Sequence, residues 1–223
     1  MSAHESPGLA VNGSLWQSAR MRVFVTGVAG FVGQRLEARL RAAGAQVIGT
    51  DLELDVGVAG RVAEAVAAAR PDAIVHLAAI SFVPAAARNP QAVYRVNFLG
   101  ARSILEATQK ISPGVRLLLV GSGHVYGSAE PDAPPFDESA PLRPDSSYAW
   151  SKTAGDLLGG FYENRGVDVV RVRPFNHTGH IAILKIRLVP EPNALAMLAA
   201  GAGALVLLRR SFHSSSSRRD FNA

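Results

Sequence analysis

Tyr148 and Lys152 stand four residues apart in YAWSK, and Ser122 and His124 lie upstream in GSGHVYG. On a helix an i, i+4 pair shares one face. A nearby ammonium favours phenolate, which lowers the tyrosine pKa and suits it to proton exchange near neutral pH. Ser122 closes an apolar run, where a hydroxyl can hydrogen-bond a reacting oxygen. Together Tyr148, Lys152 and Ser122 form a candidate acid/base set, with Lys152 also placed to hold a ribose.

A second group sits near the start. TGVAGFVG spaces Gly27, Gly30 and Gly33 as G-x-x-G-x-x-G between a strand-like run and a helical pattern. Glycine permits a tight turn and a close approach of backbone amides to a diphosphate. Phe31 and Val32 open the helix whose N-terminus adds partial positive charge. Asp51 follows Gly33 by eighteen residues and ends the second apolar run. A carboxylate there can accept both hydroxyls of an adenosine ribose and would repel a 2′-phosphate. NAD is therefore expected, with NADP as the alternative. Asp55 is placed beside the adenine edge. In HLAA, Leu77, Ala78 and Ala79 bring small residues against the cofactor, and His76 reads as a packed structural histidine.

These residues need a scaffold, and the pattern supplies one. Apolar β-branched runs at 22–27, 46–51, 72–79, 115–122 and 167–174 read as buried parallel strands. Helical patterns lie between them, including one long helix from about Pro90 to Lys110. Alternation of this kind implies parallel pairing with right-handed crossovers. The expected fold is α/β, a Rossmann-like doubly wound parallel sheet with ligands at the carboxyl ends of its strands. AEPDAPPFDESAPLRPDS is proline-rich and reads as a loop.

Composition narrows the classes. The chain has 223 residues, 48% hydrophobic and 18% charged, which suits a globular core. Its net charge of +5 comes mainly from scattered arginines with no interleaved aromatics, which excludes nucleic acid as the expected partner. With no cysteine there is no disulfide, thiolate metal site or cysteine nucleophile, and no metal site is expected. Residues 1–20 lack a basic start followed by an apolar run, so they read as a disordered leader rather than a secretory signal.

TGVAGFVG, Asp51, HLAA, GSGHVYG and YAWSK together resemble the extended short-chain dehydrogenase/reductases that act on nucleotide sugars. RPFNHTG at 173–179 is similar to the branch holding GDP-mannose 4,6-dehydratase and GDP-4-keto-6-deoxymannose reductase, and the resemblance covers about 21–179. It implies that Ser122, Tyr148 and Lys152 form the catalytic triad, with Tyr148 the acid/base partner to hydride transfer at sugar C4. It implies that Asn97 supports the lysine and local backbone, and that Pro174 and Asn176 lie near the nicotinamide. Dehydratases of this branch place a glutamate two residues after the Ser/Thr, where this chain has His124. Imidazole can act as a base, but the simpler expectation is ketone reduction. The resemblance thus favours a reductase of a GDP-sugar, with the dehydratase as the alternative, in the cytoplasm. Relatives often dimerise through the helices after strands four and five, so a homodimer is expected.

The end of the chain departs from that pattern. A Rossmann domain at 21–180 is followed by VPEPNALAMLAAGAGALVLLRR at 189–210, where the family continues into a smaller sugar-binding domain. VPEP, an apolar run and arginines in that order resemble the PEP-CTERM sorting signal of bacterial exosortase substrates. The run at 194–208 is short against the ~20 residues that span a bilayer, so membrane contact through a C-terminal apolar helix is an expectation only of that resemblance. Residues 211–223 are polar and read as disordered. The substrate domain is expected to be largely missing. That leaves two further alternatives, a non-catalytic NAD-binding remnant and a membrane-tethered protein, and the expected behaviour is coenzyme binding with weak or absent turnover.

Overall fold

The computed structural model describes residues 21–111, 114–129 and 134–175. The leader at 1–20, Asn176, the tail at 189–210 with its 194–208 run, and the end at 211–223 lie outside the described residues. Five strands form one sheet: β1 Arg22–Thr26, β2 Gln46–Thr50, β3 Ala73–His76, β4 Arg116–Val120 and β5 Val169–Val172. All pairs are parallel, in the order β2-β1-β3-β4-β5. The direction of winding reverses between β1 and β3, and a reversal of this kind opens a crevice at the carboxyl ends of those two strands.

Helices cover both faces, as parallel strands require. On one side α1, Phe31–Ala42, buries Gly33, Leu36 and Leu40. These meet Val23 and Val25 of β1, Val47 of β2 and Val75 of β3. On the other side α2, Ala59–Ala69, buries Val62, Val66 and Ala69. A later helix numbered α5, Gly100–Ile111, buries Ile104, Leu105 and Thr108 beside it. Their partners are Phe24, Ile74, Leu117 and Leu119. Val23 and Val25 thus face α1 while Phe24 faces α2, so a slip of one residue in β1 would exchange the two cores.

The strands are shorter than the apolar runs that announce them. At each carboxyl end the chain leaves the ladder to build a loop, as where Gly27 and Val28 donate to the Thr50 carbonyl. The long helix expected from Pro90 is divided. α4, Pro90–Val93, runs into a π-helical stretch at Tyr94–Leu99 and then into α5. Wide turns of this type frequently occur at functional sites, and this one carries Asn97. Two short elements lack a sequence signal: α3, Val83–Arg88, and a 3-10 turn at Gly123–Tyr126. The last helix, α6, Ser147–Glu163, starts on Ser146, whose hydroxyl accepts from the Ala149 amide. Its exposed side carries Trp150, Leu157 and Phe161. Among the described residues no helix is long and apolar enough to cross a membrane.

Candidate active site

The turn after β1 is built around close backbone approach. Gly27 has φ of 73°, and a Cβ there would lie 2.7 Å from the Ala78 amide nitrogen. At Gly33 a Cβ would stand 2.2 Å from the Gly27 carbonyl oxygen and 2.5 Å from that of Val28. Glycine at these two positions is what lets the first turn, the exit of β3 at Leu77–Ala79 and the start of α1 meet. α1 begins at Gly30 with no capping side chain and no acidic residue in its first turn. Its first N–H groups, including those at Phe31 and Val32, are therefore available to an anion.

Asp51 lies at the tip of β2, and its Oδ2 accepts from the Ala29 amide of the glycine turn at 2.8 Å. One carboxylate oxygen thus braces the turn. Asp55 lies four residues further along the same loop. Its Oδ1 accepts from Gly57 N at 3.0 Å, and its Oδ2 pairs with the Arg95 guanidinium.

Ser122, Tyr148 and Lys152 are brought together. Ser122 caps the 3-10 turn by accepting from the His124 amide, and a hydrogen bond links it to Tyr148. Both side chains are buried. His124 is exposed and meets the Tyr148 ring edge-on, with centroids 5.7 Å apart. The expected lowering of the Tyr148 pKa is corrected: burial raises it, and the Ser122 hydrogen bond offsets only part of that. Lys152 does not rescue the phenolate, because its Nζ donates to the Val120 carbonyl at 2.9 Å. Burial also lowers Lys152 itself, to about 8.

Asn97 on the π stretch clamps the loop after β3. Its Oδ1 accepts from Ile80 N at 2.8 Å, and its Nδ2 donates to the Ile80 carbonyl at 3.1 Å and to Ser151 Oγ at 2.9 Å. Ser151 in turn donates to the Tyr148 carbonyl. The asparagine thus holds the Ile80 backbone, while the lysine ammonium takes the Val120 carbonyl. Pro174 holds the 3-10 turn through its carbonyl, which accepts from Gly123 N at 2.7 Å.

His76 is buried and bonded through Nδ1 to Thr26 Oγ1 at 2.7 Å, the packed histidine expected. Burial, with Lys152 nearby, lowers its pKa from 6.5 to about 3. A depressed folded-state pKa means the unfolded chain binds the proton more readily. The associated stability is complete above about pH 6.5 and is lost as pH falls toward about 3. Between pH 7 and pH 5 the chain should lose about 2 kcal/mol through this group alone. Urea titrations at the two pH values check it. His76→Asn should remove that share of the pH dependence, and equal pH slopes in the two proteins would refute the assignment.

Three buried residues near the site carry no periodic signal of their own. Asp156 accepts from Arg173 Nε and Nη2, both at 2.8 Å, and from Arg171 Nη1 at 3.0 Å. Arg173 also donates Nη1 to Tyr126 Oη at 2.9 Å. Burial works against the Arg173 charge, but its bonds to Asp156 and Tyr126 outweigh that and hold it above its ordinary range. Only the position of Arg173 in RPFN and of Asp156 four residues after Lys152 could have singled them out.

Residues 23–221 match the family described as NAD dependent epimerase/dehydratase. The chain is 35% identical over 163 residues to GDP-6-deoxy-D-mannose reductase of Pseudomonas aeruginosa, covering 71% of this chain and 53% of that protein. The structure of RMD from Pseudomonas aeruginosa complexed with NADPH superposes with a TM-score of 0.62 at 33% identity, over 73% of this chain and 55% of that one. The Thermus thermophilus UDP-glucose 4-epimerase complex with NAD gives a TM-score of 0.63 at 29% identity, over 69% and 54%. The chain spans about half the length of these relatives. The family match, the shared fold and the sequence identity lead to one conclusion: this chain belongs to the NAD dependent epimerase/dehydratase family.

Proposed function

We propose that this chain binds a nicotinamide dinucleotide, NAD before NADP, across the β1/β3 crevice, and that its reaction is reduction of the C4 ketone of a GDP-linked 6-deoxyhexose. The fit to the coenzyme rests on the close backbone packing at Gly27 and Gly33, which shapes the turn after β1, and on the uncapped amides opening α1. Gly30, Phe31, Val32 and Gly33 would hold the diphosphate, Asp51 the adenosine ribose, and Leu77–Ala79 the floor. Lys152 would hold the nicotinamide ribose. Pro174, and Asn176 beyond the described residues, would lie near the nicotinamide.

The observation that carries the reaction is the Ser122–Tyr148 pair. A phenol whose pKa is raised by burial stays protonated at neutral pH, which is the state a reductase needs at the start. The bound coenzyme supplies the hydride to the ketone carbon. Tyr148 gives its proton to the ketone oxygen, Ser122 donates a hydrogen bond to that oxygen, and the product is an alcohol. Lys152, still mostly ammonium at pH 7 with its pKa near 8, lies one turn along the same helix, and its Nζ donates to the Val120 carbonyl. His124 stands where the resemblance puts the dehydratase glutamate, which supports reduction over elimination. The relative named GDP-6-deoxy-D-mannose reductase supports the same substrate class. A cytoplasmic setting follows from that chemistry, and pairing of a second copy on the α6 stripe of Trp150, Leu157 and Phe161 completes the reading.

The test uses the full chain with NADH or NADPH and a GDP-4-keto-6-deoxy sugar. Tyr148→Phe should lower turnover by about 10²–10⁴-fold while leaving NADH fluorescence titrations unchanged within about twofold. Equal turnover in the two proteins would remove Tyr148 from the reaction. Loss of NADH binding would instead assign it a structural role.

A further inference from the structure

We infer that Arg173 is a positioning residue: its guanidinium ties the helix that carries Tyr148 to the turn that carries Ser122, and so holds the two hydroxyls in register for proton delivery. This rests on the Ser122–Tyr148 reading of the reaction above.

The two hydroxyls come from separate elements. Tyr148 lies in the first turn of α6, and Ser122 caps the 3-10 turn after β4. Their mutual hydrogen bond therefore depends on where α6 stands against that turn. Arg173 follows β5 and reaches both elements. Its Nε and Nη2 donate to Asp156, on α6 beyond Tyr148 and Lys152, at 2.8 Å each. Its Nη1 donates to the hydroxyl of Tyr126, the last residue of the 3-10 turn, at 2.9 Å. A guanidinium is a planar fork that fixes the angles between its donors, so one side chain sets the spacing of two elements. Arg173, Asp156 and Tyr126 are all buried, which keeps water from competing for these bonds. The residues after Arg173 press on the same turn. The Pro174 carbonyl accepts from Gly123 N, and the Phe175 ring lies where a Cβ on Gly123 would come within 2.6 Å of it. Arg143 N donates to the Val125 carbonyl from the other side. Those contacts hold the turn to the end of β5 and to the following loop, whereas the guanidinium joins it to α6. An ion pair that served only the fold would need Asp156 alone. The third bond, to a hydroxyl on the serine's own turn, is what that role leaves over.

Replacing Arg173 itself would also take a cation from the buried Asp156 and cost stability, so the test cuts the other arm. Tyr126→Phe removes the hydroxyl and keeps the ring that stacks on Phe136 and Phe175. In the full chain labelled with ¹³C-tyrosine, the Cζ resonance of Tyr148 at neutral pH follows the hydrogen bonding of its phenol. Ser122→Ala marks where that resonance falls when the serine bond is lost. Tyr126→Phe should move it toward the Ser122→Ala position. It should also lower kcat roughly 10–100-fold, the order that a small misplacement of a reacting group costs. KM for the sugar and NADH affinity should stay within about twofold. Val66→Ala, which opens a cavity under α2, is the control for a softened fold. It should lower stability and leave the Tyr148 resonance and kcat in place. A Tyr148 resonance at its wild-type position in Tyr126→Phe would overturn the proposal. An equal displacement in Val66→Ala would overturn it too, and leave Arg173 as a support of the fold. The resonance needs no turnover, so it decides the proposal at any catalytic rate. Turnover that survives Tyr148→Phe would instead overturn the reaction reading on which it rests.

Discussion

Asp156→Ala is expected to cost about 3–5 kcal/mol, the usual result of stranding a buried charge. For a domain of this size that corresponds to a fall in Tm of roughly 10 °C. Asp156 is 2% exposed and serves two guanidiniums. Arg171 keeps Glu163 after the change, through bonds at 2.9 and 3.2 Å. Arg173, 5% exposed, keeps only the Tyr126 hydroxyl among the described residues. The loss should not stop at stability. Tyr126 closes the 3-10 turn that presents Ser122 and His124, and its ring stacks between Phe136 at 5.1 Å and Phe175 at 6.2 Å. Urea and thermal denaturation measure the first effect. The double change Asp156→Ala with Arg173→Met should recover part of the loss, because it removes the stranded charge as well as its partner. An Asp156→Ala protein within about 1 kcal/mol of wild type would show that the network carries little net energy.

Gly33→Ala should abolish measurable NADH binding, a loss of at least about 100-fold, or about 2.7 kcal/mol. The added carbon would lie 2.2 Å from one carbonyl oxygen of the turn and 2.5 Å from the next, so α1 must move away from β1. Those contacts are backbone, which cannot rotate aside as a side-chain end can. Gly60→Ala is the matched control, since a Cβ there meets nothing within 4 Å. Gly60 sits in the first turn of α2, where alanine should be neutral or stabilise by up to about 1 kcal/mol. Fluorescence titration with NADH, alongside circular dichroism of both variants, separates binding from folding. Gly33→Ala that binds NADH like wild type would refute the close-approach account of this turn.

What could be read from the chain in advance follows from how local each signal is. The five strands were legible because each run is contiguous and its period is visible within a short window. Tyr148 and Lys152 were legible because four residues on a helix fix their relation. The error over the Tyr148 pKa has the opposite origin: burial comes from the whole fold, and the Val120 carbonyl that takes the Lys152 ammonium is 32 positions away. Asn97 meets Ile80 and Ser151 across 17 and 54 positions, and Arg173 meets Tyr126 across 47. No window in the sequence contains such partners.

The wide turn at Tyr94–Leu99 has a consequence for how this protein tolerates change in length. A π-helical turn holds one residue more than a regular one, so it acts as a phase shifter between α4 and α5. Excising one residue from it would let the helix run on with ordinary winding and keep Ile104 and Leu105 facing the sheet, while removing the widened turn that presents Asn97 to Ile80. The same deletion within the regular winding of α5 would turn everything beyond it by about 100°. A one-codon deletion is therefore absorbed by the core at the wide turn, at the expense of the site, and is a torsion on the core elsewhere along α5.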